Sequence, residues 1–223
     1  DEGNVFEALL EGWKQKVGNL WWIIDYNRQS LDGVINEFLF TKIQGFFGTM
    51  DWNVVTLKYG KKLEAAFEGP AGEALMGWID ECPNDLYSAL TFKGGPAWRD
   101  HLKRDLCGTS GLKTLLDNHD DDSLHALMTN LAGHDMESIL EALYAADQED
   151  QPQCFVAYTI KGFGMPLQGH KDNHAGLMSP EQMAEFKEHM AIPEGAEWDR
   201  FAGLSSDADE LADFLETVPF AAA

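Results

Sequence analysis

The apolar run LWWIID, residues 20–25, has the length and composition of a buried β-strand. Residues 52–57 and 154–160 form two further short runs rich in β-branched and aromatic residues. Runs that stay apolar instead of alternating with polar residues are typical of a parallel sheet covered on both faces. We therefore predict a parallel sheet that contains these three segments.

Helical patterns fill the sequence between the predicted strands. Residues 61–80 carry one that is interrupted near Gly69 and Pro70. The other predicted helices cover residues 5–16, 35–47, 124–131, 136–147, a segment opened by Ser179 and Pro180, and about 207–215. Strands that alternate with helices indicate an α/β fold with a mostly parallel sheet flanked by helices. We expect an α/β domain over residues 1–195, with a helical insertion at about 80–130, and an acidic helical tail over residues 196–223.

The charge balance excludes two classes of partner. Acidic residues outnumber basic ones 38 to 16 among 223 residues, which gives a formal charge of −22. A protein that binds nucleic acid, or an anionic membrane surface, needs clustered Lys and Arg. No apolar run approaches the roughly 18 residues of a spanning helix. Because the three cysteines show no Cys-x-x-Cys spacing, a reducing cytoplasmic location is expected.

Polar residues directly after the first strand form one candidate site. Asp25, Asn27 and Gln29 bring a carboxylate and two amides into five residues. In an open parallel sheet, ligands bind beyond the carboxyl ends of the strands. Hard oxygen ligands of this kind suit Mg²⁺ together with phosphate and water. The alternative is an ordinary strand-to-helix loop in which Asn and Asp are chosen for turn geometry.

A second candidate follows the third strand. Residues 159–166 contain Gly-x-Gly beside Lys161, which can meet a phosphate as a point charge. The loop continues to His170 and His174. Flanking Pro and Gly residues favour a mobile loop over a helix. Acid–base catalysis by one histidine is therefore favoured over the binding of one metal ion by both. The Gly-x-Gly lacks the third glycine of a dinucleotide fingerprint.

Four segments in this order resemble a known enzyme family. They are residues 18–33, 52–60, 133–135 and 158–165, the last with the sequence YTIKGFGM. The likeness covers about residues 1–190. This part of the chain resembles the diphosphate-binding domain of the thiamine diphosphate-dependent, transketolase-like superfamily. Its nearest form is the homodimeric pyruvate dehydrogenase component, a 2-oxo acid dehydrogenase.

The resemblance implies a reaction and its participants. The family decarboxylates a 2-oxo acid, by default pyruvate, and passes the acyl group to the lipoyl arm of a partner acyltransferase. It does so as a homodimer with thiamine diphosphate and Mg²⁺. By resemblance, Asn27 binds Mg²⁺ through its side chain and Gln29 through its backbone carbonyl. Lys161 corresponds to the active-site lysine of the third loop, and His174, in preference to His170, to the loop histidine that assists acyl transfer.

The sequence also departs from the family pattern. Asp25 stands near the cofactor diphosphate where the family usually has Asn. Asp1 and Glu2 look like the residues just after the Gly-Asp-x-Glu that opens the motif, so we expect the carboxylate ligand to lie upstream and this chain alone to be inactive. Two alternatives stay open, a transketolase-type ketol transfer and a non-catalytic α/β binding module. The scarcity of Lys and Arg speaks against sugar phosphates as substrates.

Overall fold

The computed structural model describes residues 2–30, 33–34 and 39–218. The chain divides into two compact units, Asp1–Gly176 and Leu177–Ala223. The strands are β1 (Trp21–Tyr26), β2 (Gln29–Ser30), β3 (Gly33–Val34), β4 (Asn53–Leu57) and β5 (Gln153–Tyr158). The helices of the first unit are α1 (Glu2–Lys14), α2 (Leu39–Thr49), α3 (Lys61–Phe67), α4 (Gly72–Glu81), α5 (Asn84–Lys93), α6 (Gly95–Asp105), α7 (Leu112–Asp117), α8 (Asp121–Met128) and α9 (Met136–Ala146), with a 3₁₀ turn at Ala132–His134.

The three predicted strands form one parallel sheet. Its order is β1-β5-β4, so the last strand in the sequence lies in the centre. All six residues of β5 are buried, because helices and neighbouring strands surround it. The predicted α/β class with a parallel sheet flanked by helices is confirmed.

Strand β1 differs from the expectation of two covered faces. Its side chains alternate in exposure, and Ile23 is 63% exposed next to the partly exposed Trp21. On this face Trp21 still contacts the Phe155 ring, with centroids 5.8 Å apart. The opposite face packs into an aromatic cluster, in which Trp22 meets Phe47 and Trp52 with ring centroids 5.8 and 6.2 Å apart.

The predicted interruption near Gly69 and Pro70 separates α3 from α4. Between β4 and β5 the chain forms the helices α3 to α9, and α5 to α8 lie within the region expected as a helical insertion. Its centre is Trp98, which is fully buried and lies 5.1 Å from the Tyr87 ring. Part of the predicted helix over residues 35–47 falls on residues 35–38, which lie outside the described residues. The short antiparallel pair β2–β3 was not predicted.

The second unit contains two helices within its described residues, α10 (Pro180–His189) and α11 (Ala208–Thr217). Ser179 and Gln182 form a reciprocal capping box at the start of α10, with Pro180 at the first helical position. Asp207 accepts hydrogen bonds from the backbone of Asp209 and Glu210 and thereby caps α11. No described helix in the chain has the length and apolar character needed to cross a membrane.

Candidate functional site

The loops after β1, β4 and β5 share one edge of the sheet, because parallel strands end on the same side. Asp25 lies opposite Ala157 in the β1–β5 register, and Tyr26 lies opposite Tyr158. The sequence after β1 and the sequence after β5 therefore leave the sheet beside each other. Both candidate loops named from the sequence lie at this edge.

The loop after β1 makes a tight turn at Arg28. Arg28 has a positive φ of 63°, which is uncommon for a residue other than glycine. The turn lets the Asn27 Oδ1 atom accept a hydrogen bond of 3.0 Å from the backbone N–H of Gln29. A carbonyl-type oxygen has two lone pairs, so this contact orients the Asn27 oxygen and leaves it acceptor capacity.

Asp25 is held by hydrogen bonds on both sides. Thr159 donates its hydroxyl to Oδ1 of Asp25 from the loop after β5. The Asn27 side-chain amide donates to Oδ2 at 3.3 Å. Asp25 thus connects the ends of the two strands and fixes the amide group of Asn27.

Gln29 joins the first loop to the later part of the third. Its Nε2 atom donates a hydrogen bond of 3.3 Å to the backbone carbonyl of Gly169. Its Oε1 atom is buried and accepts no hydrogen bond from any described residue. A buried acceptor without a partner is costly, and such atoms at a functional edge indicate room for a ligand, ion or water.

His134, in the family-like segment 133–135, is also part of this edge. Its Nε2 atom accepts a hydrogen bond of 2.8 Å from the Ile160 N–H, and its ring stacks on Phe163 with centroids 3.9 Å apart. Burial lowers the pKa of His134, although the negative charge of Asp25 acts in the opposite direction. Both the burial and the Ile160 N–H at Nε2 favour the neutral ring with its proton on Nδ1.

Gly133 allows this approach. A Cβ atom at this position would lie 2.5 Å from the Tyr158 carbonyl oxygen and 2.6 Å from the Thr159 methyl carbon. In the sequence, the feature that permits this close contact with the end of β5 is the glycine directly before His134. That contact could not be assigned without the fold.

The loop after β5 folds back on Lys161. The Lys161 carbonyl accepts hydrogen bonds from the Asn173 side chain at 2.7 Å and from the Gly169 N–H at 3.1 Å. His170 contacts the Phe92 ring with centroids 4.6 Å apart, and its Nδ1 atom accepts from the Asp172 N–H at 3.1 Å. His174 is exposed. The two histidines thus occupy different settings, one packed against α5 and one facing solvent.

The described residues contain no group of three or more His, Cys, Asp or Glu side chains placed to hold a metal ion. The oxygen atoms at this edge come instead from Asn27, Gln29 and Asp25. Such atoms could supply a few ligands to a hard cation whose remaining ligands are phosphate and water.

Comparison with known proteins returned relatives of a single description. No protein-family profile matches the chain. Residues of the chain align with the pyruvate dehydrogenase E1 component of Cupriavidus necator at 29% identity over 86% of the chain and 22% of that protein. The same component of Mycobacterium tuberculosis is 29% identical over 83% of the chain, and that of Escherichia coli is 27% identical over 99%.

The chain is similar to a segment of pyruvate dehydrogenase E1 components. It spans about a fifth of the length of these curated relatives. The similarity supports the resemblance that the loop motifs indicated. The aligned part includes the sheet edge described above, because the match to the Escherichia coli protein covers nearly the whole chain.

Proposed function

We propose that this chain forms part of the diphosphate-binding domain of a thiamine diphosphate-dependent pyruvate dehydrogenase E1 component. The observation that carries the proposal is the turn at Asn27–Gln29. It presents an oriented amide oxygen at the carboxyl end of a parallel strand, beside the end of β5. The similarity to E1 components over most of the chain supports the same conclusion.

The residues at this edge fit a shared magnesium–diphosphate site. Asn27 Oδ1 and the Gln29 backbone carbonyl would contribute two neutral oxygen ligands. Mg²⁺ retains waters and takes its other ligands from carboxylate and substrate phosphate. The acceptor capacity left on Asn27 and the unpaired Gln29 Oε1 are consistent with a ligand at this place.

Asp25 and Lys161 would have different tasks at the diphosphate. The Lys161 ammonium would offset negative charge on the cofactor. The Asp25 carboxylate accepts from Thr159 and Asn27, so we assign it to holding the Asn27 amide group rather than to contacting phosphate. This assignment accounts for an acid at a position where the family usually has Asn.

When bound, the cofactor would supply the carbanion stabilisation that decarboxylation of a 2-oxo acid requires. His174 would act from the exposed loop as the proton-transferring residue during acyl transfer to a lipoyl group of the partner acyltransferase. The parent enzyme would be a homodimer that uses pyruvate. We expect this chain alone to bind cofactor weakly and to show no turnover.

Weak binding can be located with Mn²⁺ in place of Mg²⁺. In the ¹⁵N-labelled chain, Mn²⁺ with thiamine diphosphate should broaden the backbone signals of Asn27, Gln29 and Lys161. Asn27→Ala should abolish this localised broadening. The matched substitution Asn118→Ala, at the end of α7, should leave it unchanged. Broadening that is spread over the acidic surface, or that persists in Asn27→Ala, would contradict the proposal and favour a non-catalytic module.

A further inference from the structure

A separate cavity lies between the sheet and the start of α5. Its volume is about 310 Å³, within the range of small-molecule sites. Arg28 and Lys58 line it together with Tyr158, and Asp80 and Glu81 reach it from the last turn of α4. None of Asn27, Gln29 and Lys161, assigned above to the cofactor, is among its lining residues.

Arg28 is the unusual group in this cavity. The residue is only 8% exposed, and its guanidinium lies over the Tyr87 ring with Cζ 3.9 Å from the centroid. The ring is fixed, because the Tyr87 hydroxyl donates a hydrogen bond of 2.6 Å to the Met128 carbonyl. The stacking explains how the side chain is positioned. The N–H groups at the edge of the guanidinium still need hydrogen-bond acceptors.

One of these donors meets the Tyr87 hydroxyl, which shares a hydrogen bond with Arg28. The Arg28 Nε atom is buried and donates to no described residue. No described carboxylate forms an ion pair with the Arg28 guanidinium. A buried cation that no described carboxylate neutralises favours an anion in the cavity.

The carboxylates at the cavity do not meet this need. Asp80 forms an ion pair with Lys58 at 2.5 Å and also accepts a hydrogen bond from the Tyr59 hydroxyl. Glu81 is exposed. Pro83 and Asn84, at the start of α5, also line the cavity, and this helix begins without a side-chain cap. Helix N-termini favour negative charge, which adds to the attraction of Arg28.

We propose that this cavity binds a small oxyanion, a phosphate or a carboxylate, through the guanidinium of Arg28. The cavity lies at the same end of the sheet, but Asn27, Gln29 and Lys161 do not line it, so the proposal does not depend on the cofactor assignment. Arg28 lies between Asn27 and Gln29 in the sequence, so an anion held by its side chain would also stabilise the turn that orients Asn27.

The test uses the complete chain, without metal or cofactor, at constant ionic strength. Arginine Nε–H signals can be followed by NMR, and the chain has only four arginines: Arg28, Arg99, Arg104 and Arg200. Titration with orthophosphate, and separately with acetate, should shift the Arg28 signal with saturation at about 10 mM or below. A response to one anion alone would assign the chemical class of the ligand. If neither anion shifts this signal, the proposal is wrong.

Substitutions of Arg28 provide a second test of the proposed anion site. Arg28→Gly removes the guanidinium and suits the positive φ of the turn, so the backbone should be retained. Calorimetry should then show binding that is about ten-fold weaker or more. Arg28→Lys keeps the charge and should retain part of the affinity, whereas Arg200→Gln, at an exposed position of the second unit, should bind as the unmodified chain does. Equal binding by Arg28→Gly would overturn the proposal.

Discussion

The loops after β4 and β5 leave the same edge of the sheet, but they are held very differently. After β4, the chain enters α3 with its first N–H groups satisfied by side chains from elsewhere. Lys61 N–H donates to Asp135 Oδ2 at 3.1 Å, and Lys62 N–H donates to Asn130 Oδ1 at 2.9 Å. Since helix N-termini otherwise leave such donors unpaired, this connection is fixed.

After β5, hydrogen bonds hold the first residues of the loop, whereas its later residues include an exposed side chain. Ile160 donates to His134, and the Lys161 carbonyl accepts two hydrogen bonds. Farther along, Gln168 Nε2 contacts His125 Nε2 at 3.1 Å, and the loop then reaches the exposed His174. The first loop therefore anchors the helical region, whereas the second ends in the exposed side chain that we propose for proton transfer.

The largest effect is expected from Asp135→Ala. Asp135 caps α9 through Ser138 N–H at 3.1 Å, caps α3 through Lys61 N–H, and accepts from the Asn130 amide at 3.1 Å. Losing two caps and one further partner should lower the free energy of unfolding by about 2–3 kcal/mol. Chemical denaturation measures this change.

Asp120→Ala is the matched control for that measurement. Asp120 caps only α8, through Ser123 N–H at 2.8 Å, and its loss should cost about 1 kcal/mol. Equal effects of the two substitutions would show that Asp135 does not support two helices at once.

Gly133→Ala should have the next largest effect. The added Cβ would meet the Tyr158 carbonyl oxygen at 2.5 Å, so either the end of β5 or the 3₁₀ turn must shift. We expect a loss of about 2 kcal/mol in unfolding free energy and a changed environment for His134. Gly77→Ala, in the interior of α4 with no neighbouring atom within 4 Å of its Cβ, should instead stabilise the chain by about 0.5–1 kcal/mol. If Gly133→Ala left the free energy of unfolding unchanged, the structure would have to relieve the close contact without loss of stability.

Local patterns in the sequence predict most of this architecture. The strands and the break before α4 follow from apolar runs and from Gly69–Pro70, which act over a few residues. The position of Asn27 and Lys161 at one edge follows from the rule for parallel sheets. The exposure of Ile23 did not follow, because an apolar run does not reveal which neighbours cover it.

Contacts between distant residues could not be predicted in this way. His134 meets Ile160 across 26 positions, and Gln29 meets Gly169 across 140. The stacking of Arg28 on Tyr87 is of the same kind. Such pairs depend on how the helical insertion packs against the sheet edge, and no periodicity or local motif encodes that packing.

Two histidines that contact the loop after β5, His125 in α8 and His134 in the 3₁₀ turn, should make stability depend on pH. Burial lowers the pKa of both His125 and His134 from the usual 6.5. The unfolded chain then takes up protons at higher pH than the folded chain, so stability is complete above about pH 6.5 and falls as the pH drops below it. Thermal unfolding between pH 8 and pH 5 measures this loss.

Variants assign the acid sensitivity to these two groups. His134→Gln should reduce the loss of stability between pH 8 and pH 5, and so should His125→Gln. His189→Gln, at an exposed position at the end of α10, is the matched control for a histidine without these contacts. If neither His134→Gln nor His125→Gln changes the acid sensitivity, its origin lies outside the contacts of these two half-buried histidines.

The smallest effect is expected at the exposed end of the loop. Asn173→Ala removes the 2.7 Å hydrogen bond to the Lys161 carbonyl and should cost about 1 kcal/mol in unfolding free energy. His174→Ala, one residue later, should cost less than about 0.5 kcal/mol, because its side chain is exposed. Denaturation of the two variants in parallel compares them directly. A loss at His174 equal to that at Asn173 would show that its ring is part of the packing, which would argue against a residue kept free for proton transfer.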